Sequence, residues 1–209
     1  MNAGQILAVG LSLALALWFA TGTWYNRRRA RRIWGWLEDG LKVFGGRPNQ
    51  VWMGASGAGL RVTVEKPAAP FRRIELLVQL ESRENLPLWL FERARGKRDR
   101  LVVVGTLRSP GRGEIRVVPA GGAPDWEAAA DDDWKHTKLT SRWSVVWRGE
   151  VEEEQFEALR AFVDTYGAPL QHISYQRPKP HLFVAMGLES LEAQPSQRLL
   201  GQVKALVAH

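Results

Sequence analysis

Ile6 to Tyr25 reads ILAVGLSLALALWFATGTWY, twenty residues without a charge. As a helix rising about 1.5 Å per residue, such a run reaches roughly 30 Å, the thickness of a bilayer's hydrocarbon core. Trp18, Trp24 and Tyr25 gather towards its C-terminal end, where amphipathic rings favour the headgroup layer. Arg27, Arg28, Arg29, Arg31 and Arg32 follow at once, and no Lys or Arg precedes the run. A secretory signal peptide needs its positive charge ahead of the apolar segment and a small-residue cleavage site behind it. Here the charge lies on the other side, and Ala14-Leu15-Ala16 is the nearest thing to a cleavage motif, inside the run itself. A buried core helix is the other competitor, but it rarely stays apolar around its whole circumference for this length. The stretch is therefore predicted to be a transmembrane signal-anchor, residues 1–26. Basic residues resist translocation, so the arginines belong in the cytoplasm and the short N-terminus outside.

Residues 27–46 continue in helical rhythm. Ile33, Trp36, Leu37, Leu41 and Phe44 recur at three- and four-residue steps, and Gly45-Gly46 with Pro48 supplies a stop. One reading is a basic amphipathic juxtamembrane helix at the lipid interface. Its contacts would be Trp24, Tyr25, Arg27, Arg28, Arg29, Arg31, Arg32, Trp34 and Trp36. The other is a helix that leaves the membrane and packs its stripe onto the domain behind it.

That domain, residues 50–209, changes to an alternating pattern. Leu60–Val64, Ile74–Leu80, Leu88–Phe91, Leu101–Leu107 and Ile115–Val118 read as five short strands between Gly- and Pro-containing turns. Connections this short favour antiparallel pairing, giving a β-meander over 50–120. Residues 120–138 read as a loop. The remainder, 138–209, reads as strand (Leu139–Trp147), helix (Glu150–Tyr166), a strand pair (Leu170–Tyr175 and Leu182–Met186) and a last helix from Ser196 to Val207. Glu152, Glu153 and Glu154 suit the positive end of the first of these helices, and Gly167 its other end. The predicted class is α+β: an N-terminal transmembrane helix, a mainly antiparallel β-meander and two C-terminal helices.

Function is harder to read. With no cysteines in the chain, disulfides, thiolate metal sites and cysteine nucleophiles are excluded. The net charge of +7 invites a nucleic-acid reading, yet residues 1–50 carry seven basic side chains against two acidic, and residues 151–209 carry five against seven. A domain that gripped nucleic acid would spread its basicity over a face of the fold, so nucleic acid is disfavoured as a partner. His136, His172, His181 and His209 form no HExxH or HxH motif, so no metal site is assigned. Strand pairing about the turn at Arg177–Pro180 would set His172 opposite Ala185 or Met186 and away from His181. The acidic run Asp131–Asp133 lacks the alternation of a calcium loop, and Gly54–Gly59 lacks the lysine and helix of a phosphate-binding loop. No cofactor and no catalytic residue is assigned. The strongest cluster outside the anchor is Arg93, Arg95, Lys97, Arg98 and Arg100, a possible contact for an anion or an acidic partner, placed at a hairpin tip between two strands. Trp52, Trp89, Trp126 and Trp134 are further candidates for a binding surface.

By this elimination the sequence points to a membrane-tethered, non-catalytic adaptor or assembly subunit. It would meet membrane lipid through its single span and bind another protein at the cytoplasmic face of the cell membrane. The alternatives are an anionic-lipid or nucleic-acid module built on Arg93–Arg100, or an enzyme whose site has no recognisable pattern.

Overall fold

The computed structural model describes residues 2–54, 59–109, 111–120 and 133–207. The apolar run and the basic stretch after it form one continuous helix, α1 (Ala3–Leu41, 39 residues). Asn2 caps it: its side chain accepts from the Gln5 N–H, while the Gln5 side chain accepts from the Asn2 N–H. Two halves of α1 live in different surroundings. Up to Leu17 every described residue is exposed, and the helix as a whole is long and apolar enough to cross a membrane, its apolar window having a mean hydropathy of 1.9. From Gly22 onward, Asn26, Ala30, Ile33, Leu37, Gly40 and Leu41 are buried at steps of three and four, the spacing of one helix face. A short 3₁₀ turn, Lys42–Phe44, brings Phe44 edge-on against Phe71 at 5.4 Å.

The chain then builds one nine-stranded antiparallel sheet. Its first four strands are β1 (Arg47–Met53), β2 (Gly59–Glu65), β3 (Phe71–Gln79) and β4 (Arg100–Leu107), paired in sequence as a meander. After them come β5 (Glu114–Pro119), β6 (Lys135–Lys138), β7 (Trp143–Arg148), β8 (Leu170–Tyr175) and β9 (Leu182–Gly187). The order across the sheet is β1-β2-β3-β4-β9-β8-β5-β7-β6. The meander therefore ends at β4. The C-terminal hairpin β8–β9 fills the gap between β4 and β5 and joins both halves of the domain into one sheet. Helix α3 (Glu153–Tyr166) precedes that hairpin and α4 (Ser196–Ala205) follows it.

One sheet face carries the main core. Leu60, Val62, Ile74, Leu76, Val103, Val184 and Ile173 alternate inward and meet Ile33 and Leu37 of α1, Phe162 of α3, and Leu199 and Val203 of α4. Helix α4 also ties α1 down through polar contacts. Trp36 donates its indole N–H to the Gln194 carbonyl at 2.7 Å, Ser196 donates its hydroxyl to the Trp36 carbonyl, and Lys204 reaches the Val43 carbonyl. Opposite the core, the register sets Leu77, Val102, Ala185 and His172 side by side.

The α+β class, the long apolar N-terminal helix and the antiparallel sheet agree with the sequence reading, but three local expectations are corrected. Leu88–Phe91 is not a strand; it lies in helix α2 (Leu86–Ala94). Apolar residues at 86, 88 and 90 imitate strand alternation. Asn85, however, accepts from the Leu88 N–H as an N-cap, and Pro87 sits in the first turn where no intrahelical N–H is needed. The predicted loop 120–138 is too long at its far end, since Lys135–Lys138 pair with β7 as an edge strand. Its partner strand begins at Trp143 rather than Leu139, because the Leu139 and Thr140 N–H groups both turn back onto the Trp143 carbonyl at 3.0 Å.

Candidate membrane-junction site

The most densely connected polar region lies where α1 leaves the domain. Gly22 faces the backbone of Arg83 and Glu84 so closely that a Cβ there would overlap it. One turn towards the N-terminus, Trp18 donates its indole N–H to the Arg83 carbonyl at 2.8 Å, and its ring stands 5.7 Å from that of Trp89 on α2. One turn the other way, Asn26 is fully buried. Its amide donates to the Glu81 carbonyl and to Glu84 Oε2, both at 3.0 Å, and its oxygen accepts from Arg83 at 3.2 Å.

Beneath Asn26 lies Asp99, the hub of the junction, 2% exposed. It accepts from Arg29 at 2.6 Å, from Arg83 at 2.9 and 3.1 Å, and from the Glu81 N–H at 2.9 Å. Burial alone would push the Asp99 carboxyl up. The hydrogen bonds from Arg83, the Glu81 N–H and Arg29, with the charge of Arg83, outweigh it and hold the group below the ordinary aspartate value. Arg29 also pairs with Glu192 at 2.9 Å, and its pKa is raised because Asp99 and Glu192 outweigh the opposing effect of its own burial. The neighbouring carboxylate of Glu81 accepts from Trp89 at 2.5 Å and meets Arg93 at 3.4 Å. A helix and two loops are thus clamped by charge-assisted bonds with little access to water.

Around this clamp the predicted interface residues divide into two sets. Arg27, Arg28, Arg31 and Arg32 are exposed, as are Trp24 and Tyr25, and the Arg28 guanidinium lies 5.4 Å from the Trp24 ring centre. Arg29, Trp34 and Trp36 instead turn towards the domain: Arg29 to Asp99, Trp34 and Trp36 onto the core. The Arg93–Arg100 cluster is not at a hairpin tip, since α2 replaces the strand expected before it. Its residues occupy the last turn of α2, the loop after it and, at Arg100, the first position of β4. There Arg95 stacks on Phe91 at 3.9 Å, Lys97 pairs with Glu92 at 2.8 Å, Arg98 donates to the carbonyls of Arg93 and Lys97, and Arg100 reaches Gln79. Arg95, Lys97, Arg98 and Arg100 line an open polar cleft of about 520 Å³.

Helix α2 itself buries none of its nine residues completely. Leu88, Leu90 and Phe91 are 41%, 52% and 53% exposed. Leu86, Pro87 and Leu88 form one shallow groove with Leu15, Trp18 and Phe19 of α1, so the apolar surfaces of the two helices are continuous.

Sequence reasoning missed Asn26, Glu81, Arg83 and Asp99. The available signal was Asn26, a lone amide one residue beyond the apolar run. Elsewhere, His172 pairs with Ala185 across the sheet and meets Phe183 edge-on at 5.6 Å, away from His181. His181 is buried and accepts the Leu107 N–H on Nδ1 at 2.9 Å; burial and then Lys179 hold its pKa down. Trp52 is exposed, Trp89 belongs to the junction, and the guanidinium groups of Arg116 and Arg148 lie 5.3 and 5.1 Å from the Trp134 ring centre. Trp126, Asp131, Asp132, His209 and the middle of the Gly54–Gly59 loop lie outside the described residues. Among the described residues, no three His, Asp or Glu side chains converge as metal ligands. The chain matches no protein-family model and no curated protein.

Proposed function

We propose that this protein is a single-span, membrane-tethered adaptor or assembly subunit, with its N-terminus outside and its α+β domain at the cytoplasmic face of the cell membrane. The observation that carries the reading is the division of α1. A core helix of a soluble domain hides its apolar residues, but only 6% of the apolar window here is buried, while the same helix further on contributes Ala30, Ile33, Leu37 and Leu41 to the core. Exposed Arg27, Arg28, Arg31 and Arg32 fall on the domain side of that window, which supports retention of the domain in the cytoplasm.

Partner binding is supported by the two sheet edges. The β6 edge carries Lys135 and Lys138, charges that discourage strand addition. The β1 edge instead presents exposed Val51 and Trp52 and pairs only with β2 among the described residues. An extended segment of a partner protein adding there would gain main-chain hydrogen bonds and cover both side chains. Purification of the full chain from its native membranes in mild detergent tests this. A stoichiometric protein partner is expected, and it should be lost on Val51→Lys/Trp52→Lys. Recovery of the wild-type chain alone rejects the adaptor reading. Topology is tested separately by protease added to intact cells, which should spare the domain.

A second reading, contact of Arg93–Arg100 with anionic lipid or nucleic acid, is favoured by the basic cleft those residues line. Binding of that kind weakens steeply with salt. Full-length protein in neutral nanodiscs that ignores RNA, and that binds anionic and neutral vesicles equally at low salt, would reject it.

A further inference from the structure

We infer that α2 lies in the plane of the membrane, embedded through Leu90, Phe91 and Leu88 in the same leaflet through which α1 leaves it. The inference rests on the proposed span and follows from a mismatch of lengths. Only Ala3–Leu17 stands clear of the domain, which at about 1.5 Å per residue is about 22 Å of helix. A hydrocarbon core is about 30 Å thick, and any tilt of α1 lengthens the path it must cover. The span must therefore include residues from Trp18 onward. At that level the helix is no longer alone: Trp18 holds the Arg83 carbonyl and packs on Trp89, and Gly22 lies against the Arg83–Glu84 backbone. Whatever leaflet depth Trp18–Gly22 occupies, the start of α2 shares it.

The chemistry of α2 suits that position. At about 100° per residue, Leu90, Ala94, Pro87, Phe91 and Leu88 spread over the outward side, while Trp89 and Glu92 turn inward. The outward side holds no acidic residue. Its one basic side chain, Arg95, lies over Phe91, at the end where Arg93, Lys97 and Arg98 also gather. An apolar helix face ending in cations, continuous with the exposed apolar surface of a spanning helix, matches an acyl-chain layer beneath anionic phosphates. A protein occupant would have to approach through lipid already packed against Leu15 and Phe19 on the same groove.

Nitroxide labels on single cysteines test this in the full chain, which has no cysteine of its own. The positions are Leu90→Cys on α2, Leu11→Cys on the free part of α1 and Glu157→Cys on the exposed face of α3. All three are surface sites where substitution leaves the core intact. In phosphatidylcholine–phosphatidylglycerol vesicles containing only this protein, collision with oxygen and with a water-soluble nickel chelate reports the surroundings. The Leu90 label should favour oxygen severalfold over the Glu157 label, as the Leu11 label does. If Leu90 behaves as Glu157 while Leu11 is in lipid, the in-plane helix is refuted and the span stands. If Leu11 is itself in water, the span fails and the inference falls with it. If Leu90 is shielded from both reagents and its label shows dipolar broadening, a second copy covers α2 and the inference is likewise overturned.

Discussion

Removing residues 1–49 should abolish folding of the domain, although eight of the nine described strands would remain whole and β1 would lose only Arg47, Pro48 and Asn49. Such a truncation deletes Ala30, Ile33, Leu37, Leu41 and Phe44, which are between 0% and 3% exposed. Four of these are large. At about 1.5–3 kcal/mol for each buried Leu, Ile or Phe, their loss alone amounts to roughly 6–12 kcal/mol. It also bares the facing side of β2, β3 and α4 and takes Arg29 away from a buried Asp99. Domains of this size are stable by about 5–15 kcal/mol, so little or nothing is left. A chain beginning at Gly22 keeps all these contacts and loses only the projecting apolar part with the Trp18 contacts. It should fold, with sharp near-ultraviolet circular dichroism and a cooperative thermal transition, while 50–209 should be insoluble or lack both. A cooperative transition and native near-ultraviolet spectrum in 50–209 would refute the assignment of the second half of α1 to the core.

Asp99→Asn should cost about 2–4 kcal/mol, because it removes the charge that Arg29 and Arg83 share with little access to water; thermal denaturation in mild detergent measures it. Since the folded carboxyl sits below its unfolded value of about 3.9, the stability it supplies is complete above that pH and is lost as pH falls through the folded value. The variant should therefore flatten the acid limb of a stability–pH curve, and an unchanged limb would count against the clamp. Gly22→Val should force α1 away from the Arg83–Glu84 backbone at a cost of about 1–3 kcal/mol and shift the fluorescence of Trp18 and Trp89. His181 is held neutral in the fold, so its contribution is complete above its unfolded pKa of about 6.5 and declines as pH falls below it. His181→Phe should remove that pH dependence and cost about 1–3 kcal/mol by leaving the Leu107 N–H without its acceptor.

Local periodicity carried most of what the sequence disclosed. Leu170–Tyr175 is a strand over the residues its alternation marks, and the Phe156–Tyr166 stripe marks α3, which begins at Glu153 because Glu152 is still extended. The helix was legible on both sides of Asn26 but not as one piece, since an apolar run followed by arginines looks like a change of element even where no breaker intervenes. Beyond the neighbour pairs β2–β3 and β8–β9, strand order was not legible. The insertion of β8–β9 between β4 and β5 depends on which apolar faces fit together across more than 50 residues of chain, and no local pattern encodes that. The junction escaped for the same reason. Asp99, Glu81 and Arg83 look like ordinary surface charges in a hydrophilic stretch, and only the fold brings them under Asn26. The strand reading failed at Leu88–Phe91, where the apolar residues serve an exposed helix face.

An unbroken α1 also has a mechanical consequence. Nothing between Gly22 and Leu41 offers a hinge, and Gly35, the one glycine there that is not against a neighbour, lies within regular helix. On the proposed span, the apolar half of α1 and the sheet would then move as a single lever. From Gly22 to Leu41 the shaft is about 30 Å long, so a tilt of about 10° in the membrane carries its far end sideways by about 5 Å. Six residues further along the chain, at Arg47, β1 begins. On the proposed span, bilayer thickness, by setting the tilt of α1, would thereby set the height and angle at which the β1 edge is presented.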